Sequence, residues 1–114
     1  MRNDCVFCAI VDREIPSFKI YEDETALAFL DINPFSRGHA LVVPKVHREG
    51  LLDAEDGELA ALMAVVKKVA ARIKEELKCD GFNILQNNGE AVVFESGAGD
   101  MEELAALAER LKIN

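Results

Sequence analysis

The chain has 114 residues and a mass of 12.5 kDa, which is enough for one hydrophobic core but not for two, so a single domain over residues 1–114 is expected. Half of the residues are hydrophobic, which excludes a mostly disordered protein. The net charge of −8, with no basic cluster longer than Lys67-Lys68, disfavours nucleic acid and anionic membranes as partners.

Targeting and cysteine features favour a reducing compartment. No apolar run reaches the length of a membrane span, and residues 1–4 do not have the pattern of a secretory signal. Three cysteines are an odd number, which disfavours a disulfide framework. A cytoplasmic protein is therefore expected.

The first motif is Cys5-x-x-Cys8, whose spacing is that of half a zinc site, in which a short turn directs two thiolates at one metal. A tetrahedral site needs two further ligands. The alternative is a pair of reduced, half-buried thiols that pack with Val6 and Phe7. Cys79, near the end of a predicted helix, is interpreted as a small packing residue.

The next segment is predicted to form a small antiparallel meander. Residues 15–24 show a weak period of two after Pro16 and lead into a small antiparallel meander. The apolar runs Ala26–Leu30 and Ala40–Val43 then predict a hairpin, because proline and glycine residues punctuate the segment between them.

Polar residues lie at the two ends of this hairpin, namely Asp31, His39, Lys45 and His47. Two rigid strands with an acid and two histidines at their ends are a plausible ligand platform. A plain core hairpin with polar ends, in which Asp31 merely caps a turn, is equally compatible with the pattern.

The longest regular element is predicted over roughly Asp53 to Lys78, with Gly81 as its terminator. Its apolar stripe consists of Leu59, Leu62, Met63, Val66, Val69, Ala70, Ile73 and Leu77. A helix this apolar has to bury its stripe, so we expect it to cover the sheet rather than to bind a partner.

The last third of the chain predicts a strand, a turn and a helix. Phe82–Gln86 is a short apolar run, and Asn88-Gly89 is a strong two-residue hairpin signal. Asp100 begins a capping-box pattern, and apolar residues at helical spacing continue to about Lys112.

Several separated motifs, in order, resemble the histidine-triad (HIT) family of nucleotide-binding proteins over roughly residues 4 to 91. They are Cys5-x-x-Cys8, Ile15-Pro16, Tyr21-Glu22-Asp23, Asp31-Ile32-Asn33-Pro34, Gly38-His39, Leu41-Val42-Val43-Pro44-Lys45 with His47, Asn83-Ile84 and Asn87-Asn88-Gly89. The resemblance implies an α+β fold, with a HIT-like antiparallel sheet, one long helix packed on it and a C-terminal helix. It also implies a homodimer, formed through the long helix and a sheet edge.

The same resemblance implies a site for a purine nucleotide or nucleotide conjugate. Asp31 would accept hydrogen bonds from the ribose hydroxyls, and His39 would donate to phosphate. Phe29 and Ile32 would form an apolar wall for the base, and Asn87 would lie near the sugar and phosphate. For zinc, the resemblance implies His47 as a third ligand beside Cys5 and Cys8, whereas the family's fourth ligand, a further histidine, is absent from this sequence.

Family members continue after the Asn87 loop with a strand that bears three histidines, one of them the nucleophile that attacks the α-phosphorus. Here Ala91 is followed by Val92-Val93-Phe94, and no histidine occurs after His47. Three explanations are open, namely a true deletion, a divergent binding protein, or a natural segment that this sequence lacks between about Ala91 and Val92. The family-like flanks favour the first and third.

The resemblance therefore implies a hydrolase or transferase that acts at the α-phosphate of nucleoside phosphoramidates or dinucleoside polyphosphates, with no catalytic residue assigned in these 114 residues. The chain by itself is expected to be inactive. The alternatives are a purine nucleotide-binding module without turnover and a structural zinc-binding dimer.

Overall fold

The computed structural model of the protein describes residues 5–34, 36–86, 88 and 99–114. Its helices are α1 (Val6–Val11), α2 (Asp56–Leu77) and α3 (Met101–Leu111), and its strands are β1 (Phe18–Glu22), β2 (Ala26–Leu30) and β3 (Ala40–Pro44); a short 3₁₀ turn covers Leu51–Asp53. Among the described helices, none combines the length and apolar character needed to cross a bilayer.

The three strands form one antiparallel sheet in the order β1-β2-β3. Asp23 closes the first turn, because its Oδ1 accepts hydrogen bonds from the backbone N–H groups of Thr25 (2.8 Å) and Ala26 (2.9 Å). The register of β2 on β3 pairs Leu30 with Ala40 and Ala26 with Pro44. The predicted meander and central hairpin are thus confirmed.

The core lies between one face of the sheet and helices α2 and α3. All five residues of β2 are buried, and alternate members, Ala26, Ala28 and Leu30, face Val65 and Val69 of α2. The four buried residues of α3 join the same cluster: Leu104, Leu107, Ala108 and Leu111. Helix α2 therefore covers the sheet, as its apolar stripe predicted.

The predicted stripe of α2 is wrong in detail. Met63 is 55% exposed, whereas Val65, which the stripe omitted, is 3% exposed. Residues 62 to 66 are all apolar, so the sequence alone is compatible with more than one buried face of the helix. Packing against the sheet buries a narrower face than the predicted stripe.

The start of α2 and the residue that terminates it also differ from the prediction. The helix begins at Asp56 rather than near Asp53, because residues 51–53 form a separate 3₁₀ turn and Ala54 is extended (φ −82°, ψ 147°). It ends at Leu77, one residue before the predicted end, and its C-cap Lys78 adopts the left-handed conformation (φ 55°) and donates its N–H to the Lys74 carbonyl at 2.9 Å. Gly81 is therefore not the terminator.

Phe82–Gln86, predicted as a strand, does not pair with any strand among the described residues. Phe82, Ile84 and Leu85 are 55%, 57% and 65% exposed. The hairpin predicted at Asn88-Gly89 falls partly outside the described residues, since Gly89 is not among them.

Helix α3 is confirmed, and it ends at Leu111, one residue before the predicted end. The Asp100 side chain caps its first turn by accepting hydrogen bonds from the N–H groups of Glu102 and Glu103. After the helix, the Ile113 N–H donates to the Ile20 carbonyl (2.7 Å), and the Asn114 side chain bonds both backbone groups of Glu22. The C-terminal residues therefore lie along the outer edge of β1.

Candidate functional site: a nucleotide pocket and a metal centre

Asp31 and His39 meet where β2 ends and β3 begins. The Asp31 N–H donates to the His39 carbonyl at 2.9 Å, which continues the ladder by one pair. The side chains also approach, with Asp31 Oδ2 lying 3.6 Å from His39 Nε2 and the two side chains only 22% and 31% exposed. Antiparallel pairing thus brings together two site residues that are eight apart in sequence.

Asp31 also performs the simpler role of capping a turn. Its Oδ1 accepts a hydrogen bond from the backbone N–H of Asn33 at 2.9 Å. Because each carboxylate oxygen has two lone pairs, this bond and the His39 contact leave acceptor capacity on both oxygens. The turn-capping interpretation and the ligand interpretation are therefore compatible.

Two glycines allow the chain to pass close to this pair. Gly38 has φ +88°, and a Cβ there would lie 2.8 Å from Leu77 Cδ1. Gly99 donates its N–H to the Ile32 carbonyl at 2.7 Å, and a Cβ there would lie 2.9 Å from Pro34 Cδ. Both contacts need a residue without a side chain, so helices α2 and α3 hold the two ends of the 31–39 segment close.

The apolar candidates differ in accessibility. Phe29 is 3% exposed, and its ring centroid lies 6.3 Å from that of Phe7, which projects from α1 over the sheet. Ile32 and Phe7 are 48% and 42% exposed. The sequence did not indicate the proximity of Phe7 to Phe29, since an aromatic residue within a cysteine motif was interpreted as packing with the thiols. Asn87 lies outside the described residues.

The predicted metal ligands also come together. One ligand atom from each of Cys5, Cys8 and His47 lies within 4.8 Å of the other two, and Cys8 Sγ is 3.0 Å from His47 Nδ1. Cys5 caps α1, with its Sγ accepting the Cys8 N–H at 3.4 Å, so the first turn of the helix directs both sulfurs to one side. The segment after β3 supplies His47.

Local hydrogen bonds shift the pKa values of two of these groups. Burial alone would raise the pKa of Cys5, but hydrogen bonds from the Cys8 amide and from the Cys8 and His47 side chains outweigh it, and the pKa is lowered. The pKa of His47 is raised, chiefly by a hydrogen bond to Glu49, against the opposing effect of burial. Two thiols and an imidazole are a donor set that zinc prefers, so this cluster can hold a metal ion.

A cleft of about 560 Å³ opens beside the cluster. Two basic side chains on its wall are already paired. Lys45 Nζ lies 2.8 Å from Glu22 Oε2, and hydrogen bonds from Lys45 and Lys19 lower the pKa of Glu22 to about 2. Arg48 makes a bidentate pair with Glu58 of α2, with Nε–Oε1 at 3.1 Å and Nη2–Oε2 at 3.0 Å. These pairs fix the chain on both sides of His47.

Comparison with known proteins leads to the family that these motifs resemble. Residues 12–96, three quarters of the chain, match the family described as HIT domain. The chain belongs to the HIT domain family. It is 33% identical to a hypothetical histidine triad nucleotide-binding protein from Sulfolobus tokodaii, whose crystal structure superposes with a TM-score of 0.87 over 94% of this chain and 89% of that one.

Two other HIT relatives carry descriptions of ligand or activity. A Zn-bound histidine triad family protein from Mycobacterium smegmatis is 36% identical, with a TM-score of 0.80 over 96% of this chain and 91% of that chain. The adenosine 5'-monophosphoramidase of Saccharomyces cerevisiae is 46% identical over 85 residues, which cover 75% of this chain and 51% of the yeast protein. The chain spans about half to two thirds of the length of the curated relatives that it matches.

Proposed function

We propose that this HIT domain is the nucleotide-binding part of a hydrolase or transferase that acts at the α-phosphate of purine nucleotide conjugates, and that these 114 residues bind without turnover. The observation that carries the proposal is the approach of Asp31 and His39 at one end of the central hairpin. The description of the yeast relative as an adenosine 5'-monophosphoramidase supports the substrate class.

The roles of the two residues follow from their chemistry. An ionised carboxylate accepts hydrogen bonds only, so Asp31 is suited to the two neighbouring hydroxyls of a ribose. His39 lies beside it and is suited to donate to a phosphate oxygen. Ile32 and Phe29 would provide an apolar surface for a purine, and Asn87 would contact the sugar and phosphate.

Turnover needs a nucleophile that these residues do not supply. Displacement at phosphorus through a covalent intermediate requires an activated side chain placed in line with the leaving group. Of the two histidines, His47 faces Cys8 and Glu49, and His39 lies beside Asp31. Orientation of a substrate without a nucleophile leaves catalysis weak.

We further propose that Cys5, Cys8 and His47 bind zinc. The ion would tie α1 to the segment after β3, and its chemistry there would be structural, since it completes a cross-link rather than contacting the Asp31–His39 pair. The Zn-bound relative from Mycobacterium smegmatis supports the choice of metal. No fourth histidine, cysteine or carboxylate joins the cluster within the described residues.

We also propose an assembly and a location for the chain. The exposed apolar residues Met63, Phe82 and Ile84 favour a homodimer that uses α2 and the segment after it. Three cysteines that form no disulfide favour a cytoplasmic location. The net charge of −8 disfavours nucleic-acid and membrane partners. A structural zinc-binding dimer is the second candidate function, which the cysteine-histidine cluster favours.

Asp31→Ala is expected to weaken binding of AMP or GMP by about 1.5–3 kcal/mol, or roughly ten- to 150-fold, as for the loss of hydrogen bonds to a charged group. Titration calorimetry against wild type measures the change. Asp31→Asn is the matched control, because its carbonyl can still accept the Asn33 N–H. If the ribose role is right, Asn loses less affinity than Ala, because its carbonyl can still accept one ribose hydroxyl. Full affinity in Asp31→Ala would remove Asp31 from the site, and no binding by wild type would reject the pocket.

Protein of verified mass is expected not to release AMP from an adenosine phosphoramidate. The control is the intact mass, since a value well above 12.5 kDa would show a longer chain with room for the missing histidine strand. His39→Ala is the informative variant. Turnover by the 12.5 kDa protein that His39→Ala abolishes would mean that His39 is the nucleophile, contrary to this proposal.

A further inference from the structure

The imidazole of His47 has a partner on each nitrogen. Nδ1 lies 3.0 Å from Cys8 Sγ, and Nε2 lies 3.2 Å from Glu49 Oε1. Only Nδ1 therefore faces the cysteine pair, while Nε2 faces a carboxylate that belongs to none of the sites described above.

We propose that Glu49 is a positioning residue that holds His47 in its Nε2–H tautomer, so that Nδ1 is the nitrogen that binds a divalent metal together with Cys5 and Cys8. The metal part of this inference rests on the proposed zinc site, whereas the tautomer part does not.

The physical reason is that an ionised carboxylate accepts hydrogen bonds and cannot donate them. Neutral imidazole carries one N–H and one lone pair, and an ionised glutamate can only accept a hydrogen bond. The contact to Glu49 is therefore made when Nε2 holds the proton, and this leaves the Nδ1 lone pair directed at the cysteines. A carboxylate behind a ligating histidine both orients the ring and makes it a better ligand.

The Glu49 side chain is 86% exposed, but backbone hydrogen bonds fix the position of its main chain. Three consecutive N–H groups are held by side-chain acceptors: those of Glu49 and Gly50 by Asp53 (3.1 and 2.9 Å), and that of Leu51 by Asn88 Oδ1 (2.7 Å). A Cβ at residue 50 would lie 2.6 Å from Asn88 Oδ1, so the turn is closely packed at this point. These bonds limit the positions open to the Glu49 carboxylate.

The first measurement is the tautomer of His47 in reduced, metal-free protein. In ¹⁵N-histidine-labelled samples, long-range ¹H–¹⁵N spectra are recorded at a pH above which the ring shifts no longer change. Wild type is expected to show a protonated Nε2 and an unprotonated Nδ1. Glu49→Ala is expected to gain Nδ1–H signal, because the neighbouring thiolates then compete for the proton, and Glu49→Gln is expected to keep the wild-type pattern, since its carbonyl can accept the same bond.

The second measurement is metal affinity, from competition of Zn²⁺ or Co²⁺ between the protein and a chelator. Glu49→Ala is expected to weaken binding by about tenfold, the lower end of the range for such outer partners because the carboxylate is exposed. Glu49→Gln should recover most of this loss. Asp12→Asn is the matched control, since it removes a negative charge that lines the same cleft without removing a contact to His47.

Each result decides the inference. An unchanged tautomer in Glu49→Ala would overturn it, and so would a loss of affinity no greater than that of Asp12→Asn. If wild type binds neither metal, the proposed zinc site fails, while the tautomer spectra still decide whether Glu49 positions His47.

Discussion

Replacing Leu111 with alanine is expected to lower the free energy of unfolding by about 2–5 kcal/mol, the range for a leucine truncated within a core. Leu111 is fully buried at the end of α3, in the cluster that also contains Ile20 and Leu30 of the sheet. Its removal would leave a cavity where the last helix meets the first two strands. Urea unfolding followed by circular dichroism measures the change.

Leu52→Ala is the matched control for this experiment. Leu52 is 97% exposed, so the same substitution there is expected to change stability by less than about 0.5 kcal/mol. Equal midpoints for Leu111→Ala and wild type would contradict the packing of α3 against the sheet.

Cys8→Ser is expected to abolish stoichiometric zinc, because serine replaces a thiolate ligand with a poorly ionised hydroxyl. Wild type should retain zinc through gel filtration. At a free zinc concentration of about 1,000 times the Kd, the metal should stabilise wild type by about 4 kcal/mol, and it should have little effect on the variant. Metal analysis and thermal unfolding with and without zinc measure both effects.

Cys79→Ser is the control for the loss of a thiol in general. Cys79 lies after α2 and does not belong to the metal cluster, so this variant should keep its zinc. Retention of stoichiometric zinc by Cys8→Ser would show that the metal, where present, is bound elsewhere.

Elements whose evidence is local were predictable from sequence. The α3 start followed from the Asp100 cap, and the β2–β3 hairpin followed from two apolar runs separated by turn residues. The strand predicted over Phe82–Gln86 failed because a strand also needs a neighbouring ladder, which an apolar run cannot supply by itself. The end of α2 was predicted to within one residue, but its terminating residue was not, because Lys78 adopts the left-handed conformation that the prediction assigned to Gly81.

The candidate site was likewise predictable only in part. The approach of Asp31 to His39 follows from antiparallel pairing, which sequence spacing across a turn can indicate. The spacing of Cys5 and Cys8 indicated half of a metal site, whereas the role of His47 and those of the nucleotide contacts came only from family resemblance. Glu49 was not predicted at all, because an exposed glutamate in an acidic chain has no distinguishing pattern.

The outer edge of β1 has a consequence for assembly. The Ile20 carbonyl accepts a hydrogen bond from the Ile113 N–H. The Asn114 side chain bonds both the N–H and the carbonyl of Glu22. Groups that are already bonded cannot serve as a template for a strand from another chain. A second copy that extends the sheet would therefore not add along β1, and a synthetic peptide with the sequence of β2 should not be captured at that edge.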